Sequence, residues 1–179
     1  MGQSSVRGDL SSSWVPVYVG LGSNLENPSE QVVLALGELE SLPDTRLVAV
    51  SALYRNPPMG PQDQPDYVNA VAGLLTRKLP EELLALMQAL EQRLGRVRID
   101  GDRWGPRIID LDLLVYGLAQ ISVPGLNLPH PGISERNFVL FPLRDIAPSL
   151  IVPGQGVVGV LAQQVSAAGL QRIEQTIER

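Results

Sequence analysis

The chain has 179 residues, 44% of them hydrophobic, and a formal net charge of −5. These values fit one globular domain with a buried core, and the negative charge argues against a protein that mainly coats nucleic acid or an anionic membrane. The sequence has no cysteine, which excludes disulfides, thiolate metal sites and cysteine nucleophiles. We therefore expect a cytoplasmic monomer with no nucleic-acid or membrane partner.

The N-terminal residues predict an arm followed by a first strand and helix. Residues 1–14 are rich in Gly and Ser and lack the apolar core of a signal peptide, so we expect a disordered arm before one domain over residues 15–179. The apolar run 15–21 predicts a strand, and the turn at residues 22–24 lacks the Lys-Ser/Thr of a phosphate loop. Asn27, Pro28 and Glu30 then predict a helix start with a capping box.

Two further β-type runs, 46–54 and 68–76, flank a proline-rich loop at residues 55–66. Long ordered loops are often functional, although the loop taken alone is equally compatible with an ordinary surface excursion. Tyr67 and Asn69 follow it and share a face, because residues two apart in a strand point the same way. The aromatic ring of Tyr67 and the planar amide of Asn69 are suited to bind a flat heterocycle, because the ring can stack on its face and the amide can hydrogen-bond its edge.

A second helix is predicted from Pro80 to a stop at Gly95. Gln88 and Glu91 lie on one side of it, which we interpret as solvated surface unless the helix borders a site. The order strand, helix, strand, strand, helix, strand predicts an α+β fold, a ferredoxin-like βαββαβ sandwich. Additional C-terminal helices are predicted, one capped by Ser134 and one over residues 157–165.

The region 93–116 joins five arginines to a short strand that carries Asp110 and Asp112. Both acids should share one face of that strand, with the apolar residues Ile109, Leu111, Leu113 and Val115 on the other. Two carboxylates suit Mg²⁺, which takes oxygen ligands from protein, phosphate and water, and guanidinium groups match phosphate oxygens. Taken alone, the two aspartates are more simply the solvent-facing side of a strand, and the arginines are more simply members of surface ion pairs. Next to each other, the aspartates and arginines indicate a phosphoryl-transfer site.

Four stretches resemble the 6-hydroxymethyl-7,8-dihydropterin pyrophosphokinase family: GSN at 22–24, YRNPPMGPQDQPDYVNA at 54–70, RWGPRIIDLDLLVYG at 103–117 and LPHPGISERNFVLFPL at 128–143. The similarity covers residues 17–153. It implies a folate-biosynthesis enzyme that transfers diphosphate from ATP to the hydroxymethyl oxygen of the pterin and releases AMP. At Pro131, Gly125 and Asn127 this sequence departs from some relatives near the expected adenosine site.

The resemblance also implies roles for individual residues. Asp110 and Asp112 would hold two Mg²⁺ ions. The residues expected to contact ATP are Gln88, Glu91, Arg96, Arg98, Arg103, Trp104, Arg107, His130 and Arg136, with Arg96 and Arg107 also catalytic. The residues expected to line the pterin pocket are Asn56, Pro57, Met59 and Asn69, with the ring stacked between Tyr67 and Phe138. The proton acceptor stays open between Asp112 and solvent.

Two other functions remain compatible with the residues. A metal-dependent phosphohydrolase could use the same two aspartates, and it would consume ATP without any pterin. A non-catalytic binding module on the same fold would bind ligand without turnover.

Overall fold

The computed structural model describes residues 13–97 and 105–174. Residues 1–12 of the predicted N-terminal arm lie outside the described residues. Trp14, at the end of the predicted arm, contacts the guanidinium groups of Arg46 and Arg77, whose Cζ atoms lie 4.5 and 4.7 Å from its ring centroid. The strands and helices are β1 (Val15–Ser23), α1 (Pro28–Glu40), β2 (Thr45–Val50), β3 (Leu53–Asn56), β4 (Tyr67–Thr76), α2 (Pro80–Arg93), β5 (Asp110–Tyr116), β6 (Ile121–Val123), β7 (Leu126–Leu128), α3 (Asn137–Ile146), β8 (Ile151–Val152), β9 (Gly156–Val157), α4 (Val158–Gln164) and β10 (Gln171–Ile173).

The main sheet is antiparallel and has the strand order β10-β3-β4-β1-β5, with β2 also paired to β4. The predicted strand at 46–54 is divided into β2 and β3, which are separated by residues 51–52. There the Ser51 Oγ takes the place of a backbone acceptor for the Val71 N–H, while the Ser51 N–H still donates to the Val71 carbonyl. Counted as one strand, β2 and β3 complete the order of a βαββαβ unit, and β10 is added outside β3. The ferredoxin-like fold and its additional C-terminal helices are confirmed.

Helices cover both faces of the sheet, which gives two core clusters. On one face α1 and α2 bury side chains such as Leu36, Met87 and Leu90 against the sheet. On the other face α3 and α4 bury Leu140 and Leu161. Burial of this kind stabilises a fold by roughly 1.5–3 kcal/mol per large apolar side chain.

Two predicted helix caps are wrong. Asn27 precedes α1 but adopts φ 62° and makes no side-chain cap, because its left-handed backbone departs from the extended conformation from which a capping side chain reaches the first amides. Ser134 lies in a 3₁₀ turn, Ile133–Glu135, and α3 begins later, at Asn137. Ile133 is fully buried and Arg136 is extended, so the chain turns inward before the helix can start.

The C-terminal region contains the predicted helix and three short strands that were not predicted, β8, β9 and β10. The helix expected over residues 157–165 is confirmed as α4. Beyond it β10 joins the edge of the main sheet, pairing Gln171 with Arg55 and Ile173 with Leu53. Within the described part of the chain, no helix has the length and apolar character needed to cross a membrane.

Candidate active site

A cleft of about 390 Å³ opens where β1, β4 and β5 meet α2 and the start of α3. Most of the site residues predicted from the sequence line it: Asn56, Met59, Tyr67, Asn69, Gln88, Glu91, Arg96, Arg107, Asp110, Asp112, His130, Arg136 and Phe138. Pro57 is not among the lining residues. Arg98, Arg103 and Trp104 lie outside the described residues.

Strand β5 presents its two acids to the cleft from one face. Asp110 pairs with Gly22 and Asp112 with Gly20 of β1, so both carboxylates lie over a part of the neighbouring strand that has no side chains. The expected alternation then fails, because Leu114 is an extra residue in a β-bulge against β1. The prediction that Val115 shares a face with Leu113 is wrong, and Val115 packs in the second core cluster instead.

Asp110 is held by two arginines. Its Oδ1 accepts a hydrogen bond from Arg96 and its Oδ2 accepts one from Arg107, both at 2.5 Å. The Arg96 guanidinium also donates to Glu91. Because the arginine and aspartate side chains are only 12–23% exposed, water screens these pairs less than it would at the surface.

The end of α2 places Arg96 at the cleft. Gly95 has φ 92° and donates its N–H to the Gln92 carbonyl, while the Arg96 N–H donates to the Glu91 carbonyl at 3.0 Å. This pair of bonds is the Schellman motif, in which a left-handed glycine ends the helix, so the predicted stop at Gly95 is confirmed. The chain therefore leaves the helix along a fixed path that begins with Arg96.

Glu91 is buried, with 2% of its surface exposed, so the interpretation of this position as solvated surface is wrong. Its Oε1 accepts a hydrogen bond from the Leu111 N–H at 2.7 Å and a second from Arg96. Glu91 thus joins the end of α2 to the beginning of β5. A glutamate is needed there because only an acid accepts from both a backbone amide and a guanidinium while balancing the charge.

Asp112 has a different environment from Asp110. Within residues 13–97 and 105–174, no hydrogen bond or ion pair of its carboxylate is present. Burial, followed by the negative charge of Asp110, raises its pKa from 3.8 to about 7, against the opposing effect of Arg136. Asp112 therefore holds its proton to a higher pH than an exposed aspartate does.

His130 is neutral at pH 7, since burial, and then the positive charge of Arg136, lower its pKa. Its Nδ1 accepts a hydrogen bond from the Gly132 N–H at 3.0 Å, which leaves the proton on Nε2. The His130 backbone N–H donates to the Leu114 carbonyl at the β5 bulge. This fixes the imidazole at the mouth of the cleft as a hydrogen-bond donor.

A second wall of the cleft, formed from β3 and β4, carries an aromatic ring and two amides. Asn69 donates its Nδ2–H to the Asn56 Oδ1, and Asn56 donates to the Pro57 carbonyl at 3.0 Å, so both amide planes are fixed. Tyr67 lies on the same face as Asn69, as predicted, and its hydroxyl donates to the Gly105 carbonyl at 3.0 Å. This wall presents flat, orientated polar groups beside the ionic wall.

Asn24 is a buried residue to which the sequence analysis assigned no role. It is 1% exposed, and its Oδ1 accepts a hydrogen bond from the Arg107 N–H at 2.8 Å. Its Nδ2 donates to Gln64 and to the Pro65 carbonyl, both at 3.0 Å, so one side chain connects the proline-rich loop to the arginine segment. The GSN sequence gave a signal for this position, but only the tertiary contacts distinguish a connecting side chain from an ordinary turn residue.

The donor set fits Mg²⁺ bound together with a polyphosphate. Two carboxylates face one cleft, and Asp112 has no competing partner within the described residues. Among those residues no group of three or more His, Asp or Glu side chains could enclose a metal ion alone. Mg²⁺ commonly takes one or two carboxylates and completes its coordination with phosphate and water, so the shortage of protein ligands agrees with a shared site.

The α+β fold and the cleft are typical of an enzyme that transfers phosphate groups. The cleft combines aspartates and arginines with a second wall of amides and aromatic rings. Residues 18–148 match the profile of the family described as 7,8-dihydro-6-hydroxymethylpterin-pyrophosphokinase (HPPK). The chain belongs to this family.

Curated relatives match nearly the whole chain. A 2-amino-4-hydroxy-6-hydroxymethyldihydropteridine pyrophosphokinase from Pseudomonas aeruginosa is 48% identical over 157 residues, which is 88% of this chain and 96% of the relative. The protein of the same description from Haemophilus influenzae is 44% identical over 150 residues, 84% of this chain and 92% of the relative. A crystal structure of Plasmodium falciparum HPPK-DHPS shares the fold, with a TM-score of 0.65 at 12% identity, over 87% of this chain and 46% of that one.

Gly22→Ala should destabilise the protein, because a Cβ at this position would lie 2.7 Å from the Asn69 Oδ1. Asn69 would have to move and weaken its bond to Asn56, and overpacking of this kind typically costs about 1–3 kcal/mol. Thermal unfolding should detect a lower melting temperature. Gly37→Ala is the matched control, since a Cβ there meets no atom within 4 Å, and an equal effect of both changes would contradict the steric explanation.

Asp112→Asn should stabilise the metal-free protein at pH 8, because it removes a buried charge whose pKa is raised to about 7. Since the folded acid retains its proton at pH values where the unfolded acid has lost it, wild-type stability falls as pH rises from about 4 to 7. The advantage of the variant should therefore shrink towards pH 5. Melting curves of the wild type and Asp112→Asn in EDTA at several pH values test this prediction. Each kcal/mol of stability corresponds to roughly 2–4 °C in the melting temperature of a domain this size. Coincident curves at pH 8 would show that burial of Asp112 has no cost.

Proposed function

We propose that this chain transfers diphosphate from ATP to the hydroxymethyl group of 6-hydroxymethyl-7,8-dihydropterin, giving the pterin diphosphate and AMP in folate biosynthesis. The observation that carries the proposal is that one cleft contains both an amide and aromatic wall and an arginine and aspartate wall. Family membership supports the same reaction.

The amide and aromatic wall binds the pterin. Asn56 and Asn69 hold each other in fixed orientations and read the polar edge of the heterocycle, while Tyr67 and Phe138 contact its faces. A site built to hydrogen-bond its substrate rejects analogues that lack those groups, because buried polar atoms would otherwise lose their partners. Selectivity therefore resides in the two amides more than in the rings.

The arginine and aspartate wall binds the nucleotide phosphates. Arg96 and Arg107 are bonded to Asp110, and a polyphosphate in the cleft would offer the same guanidinium groups further anionic partners. Asp110 and Asp112 would hold two Mg²⁺ ions, which when bound shield the phosphate charge and favour attack at phosphorus. Gln88, His130 and Arg136 complete the nucleotide side of the cleft.

The protein itself contributes mainly orientation and charge balance. Transfer of a phosphoryl group needs an in-line approach of the attacking oxygen and compensation of the charge on the phosphate oxygens. Asn24 serves this by holding the Arg107 backbone next to the end of β1 and the proline-rich loop. Glu91 serves it by joining Arg96 to Leu111 of the strand that carries the acids. His130 donates from Nε2 without adding a full charge.

The reaction is tested by incubating the protein with ATP, Mg²⁺ and the hydroxymethyl-dihydropterin. AMP and the pterin diphosphate should appear together, and both should require all three components. Asp110→Ala and Asp112→Ala should each abolish transfer while the pterin still binds, as measured by fluorescence. ADP as the product, ATP loss without pterin, or near-normal turnover in both variants would each contradict the proposal.

Arg107→Ala should lower the turnover number by about 10³–10⁵, the range seen for arginines that act on transferring phosphates. Arg107→Lys should recover only part of the rate, since an ammonium group lacks the paired donors of a guanidinium. Arg93→Ala is the matched control, because Arg93 is 62% exposed and pairs with Glu38 at the protein surface. Rapid-quench rates of the three variants test the assignment, and similar rates for Arg107→Ala and Arg93→Ala would refute it.

A further inference from the structure

The C-terminal strap, residues 166–173, runs along the outside of the proposed pterin pocket. At one end it forms β10, which pairs with β3, the strand that ends at the pocket residue Asn56. Near its middle Gly169 packs on Pro57, whose Cδ lies 3.3 Å from the position that a Cβ on Gly169 would take. One wall of the pocket is thus backed by the strap.

The same strap is also bonded to the start of α3, on the Phe138 side of the pocket. Asn137 begins α3 and directly precedes Phe138, and its Nδ2 donates to the Ser166 carbonyl at 2.8 Å and to the Ala168 carbonyl at 3.2 Å. These are bonds from one amide group to two backbone oxygens of an exposed segment. They connect the start of α3 to β3 across the outside of the molecule.

The strap is placed to act on the pocket without being part of the core. Residues 166–172 bury little surface, and Ile173 only packs at the margin of the first cluster. Loss of the Asn137 bonds should therefore free the strap locally and leave the fold intact. Its remaining effect would be on the distance between Phe138 and Asn56, which line the pocket, with Pro57 lying behind Asn56 against the strap.

We propose that Asn137 is a positioning residue for the pterin: by holding the strap it fixes Phe138 relative to the Asn56 side of the pocket. This inference rests on the proposed function. It assigns to the C-terminal segment, in which the sequence shows no chemistry, a part in substrate affinity.

The test uses Asn137→Asp in the full-length protein. The change preserves the size of the side chain and removes both donors, and a negative charge at the first residue of a helix is favourable, so α3 should not be weakened. The expected result is an increase of about three- to tenfold in KM for the hydroxymethyl-dihydropterin, the equivalent of one or two ordinary hydrogen bonds, with KM for ATP and kcat nearly unchanged. Amide hydrogen exchange in residues 166–173 should become faster.

Two further variants sharpen the experiment. Gly169→Ala, at φ 76° and against Pro57, disturbs the strap from its other side and should raise the same KM. Gln163→Glu, on the exposed surface of α4, makes the matched amide-to-acid change and should alter neither KM.

The outcomes separate this inference from the proposed function. Wild-type protein that forms no pterin diphosphate would overturn both. Normal wild-type turnover with an unchanged pterin KM in Asn137→Asp, despite faster exchange in the strap, would overturn only the positioning role. Equal increases in both KM values would also overturn it, because they would indicate a general structural effect.

Discussion

The two guanidinium groups that meet at the Asp110 carboxylate decide how the rest of the cleft can be built. Arg96 and Arg107 bring two positive charges to a largely buried place, and Asp110 and Glu91 are the acids that bond to them. Taking such groups out of water costs free energy that their mutual attraction only partly returns. The cluster is therefore held by charge balance, with each of the two arginines bonded to at least one of the two acids.

This arrangement requires that the surrounding backbone be fixed from several sides. Gly22 lets β1 approach Asn69 closely, the glycine turn after α2 sets the path of Arg96, and Asn24 attaches the Arg107 segment to the proline-rich loop. Each contact joins elements that are distant in sequence. Small errors in position matter here because phosphoryl transfer depends on alignment more than on chemical participation by the protein.

Local patterns in the sequence predicted the main helices and strands and many of the residues that line the cleft, while contacts between distant residues decided what the patterns missed. The two-residue period placed Asp110 and Asp112 on one face, but it failed at the Leu114 bulge, where the ladder with β1 gains a residue. Glu91 looked like helix surface because its burial depends on β5, and Asn27 has the composition of a cap without its backbone conformation. Strand β10 is polar and short, so its pairing with β3 gave no periodic signal.

Strand β5 lies at one end of the main sheet, where a strand of another molecule could pair with it. An end strand offers unpaired amides and carbonyls on which a second chain could add by backbone pairing. Here the Leu111 amide is already bonded to the Glu91 carboxylate and the Leu114 carbonyl to the His130 amide. Two of the backbone groups that an added strand would need on this border are thus already bonded to parts of the cleft lining, so the same hydrogen bonds that position Glu91 and His130 leave fewer groups open to backbone pairing.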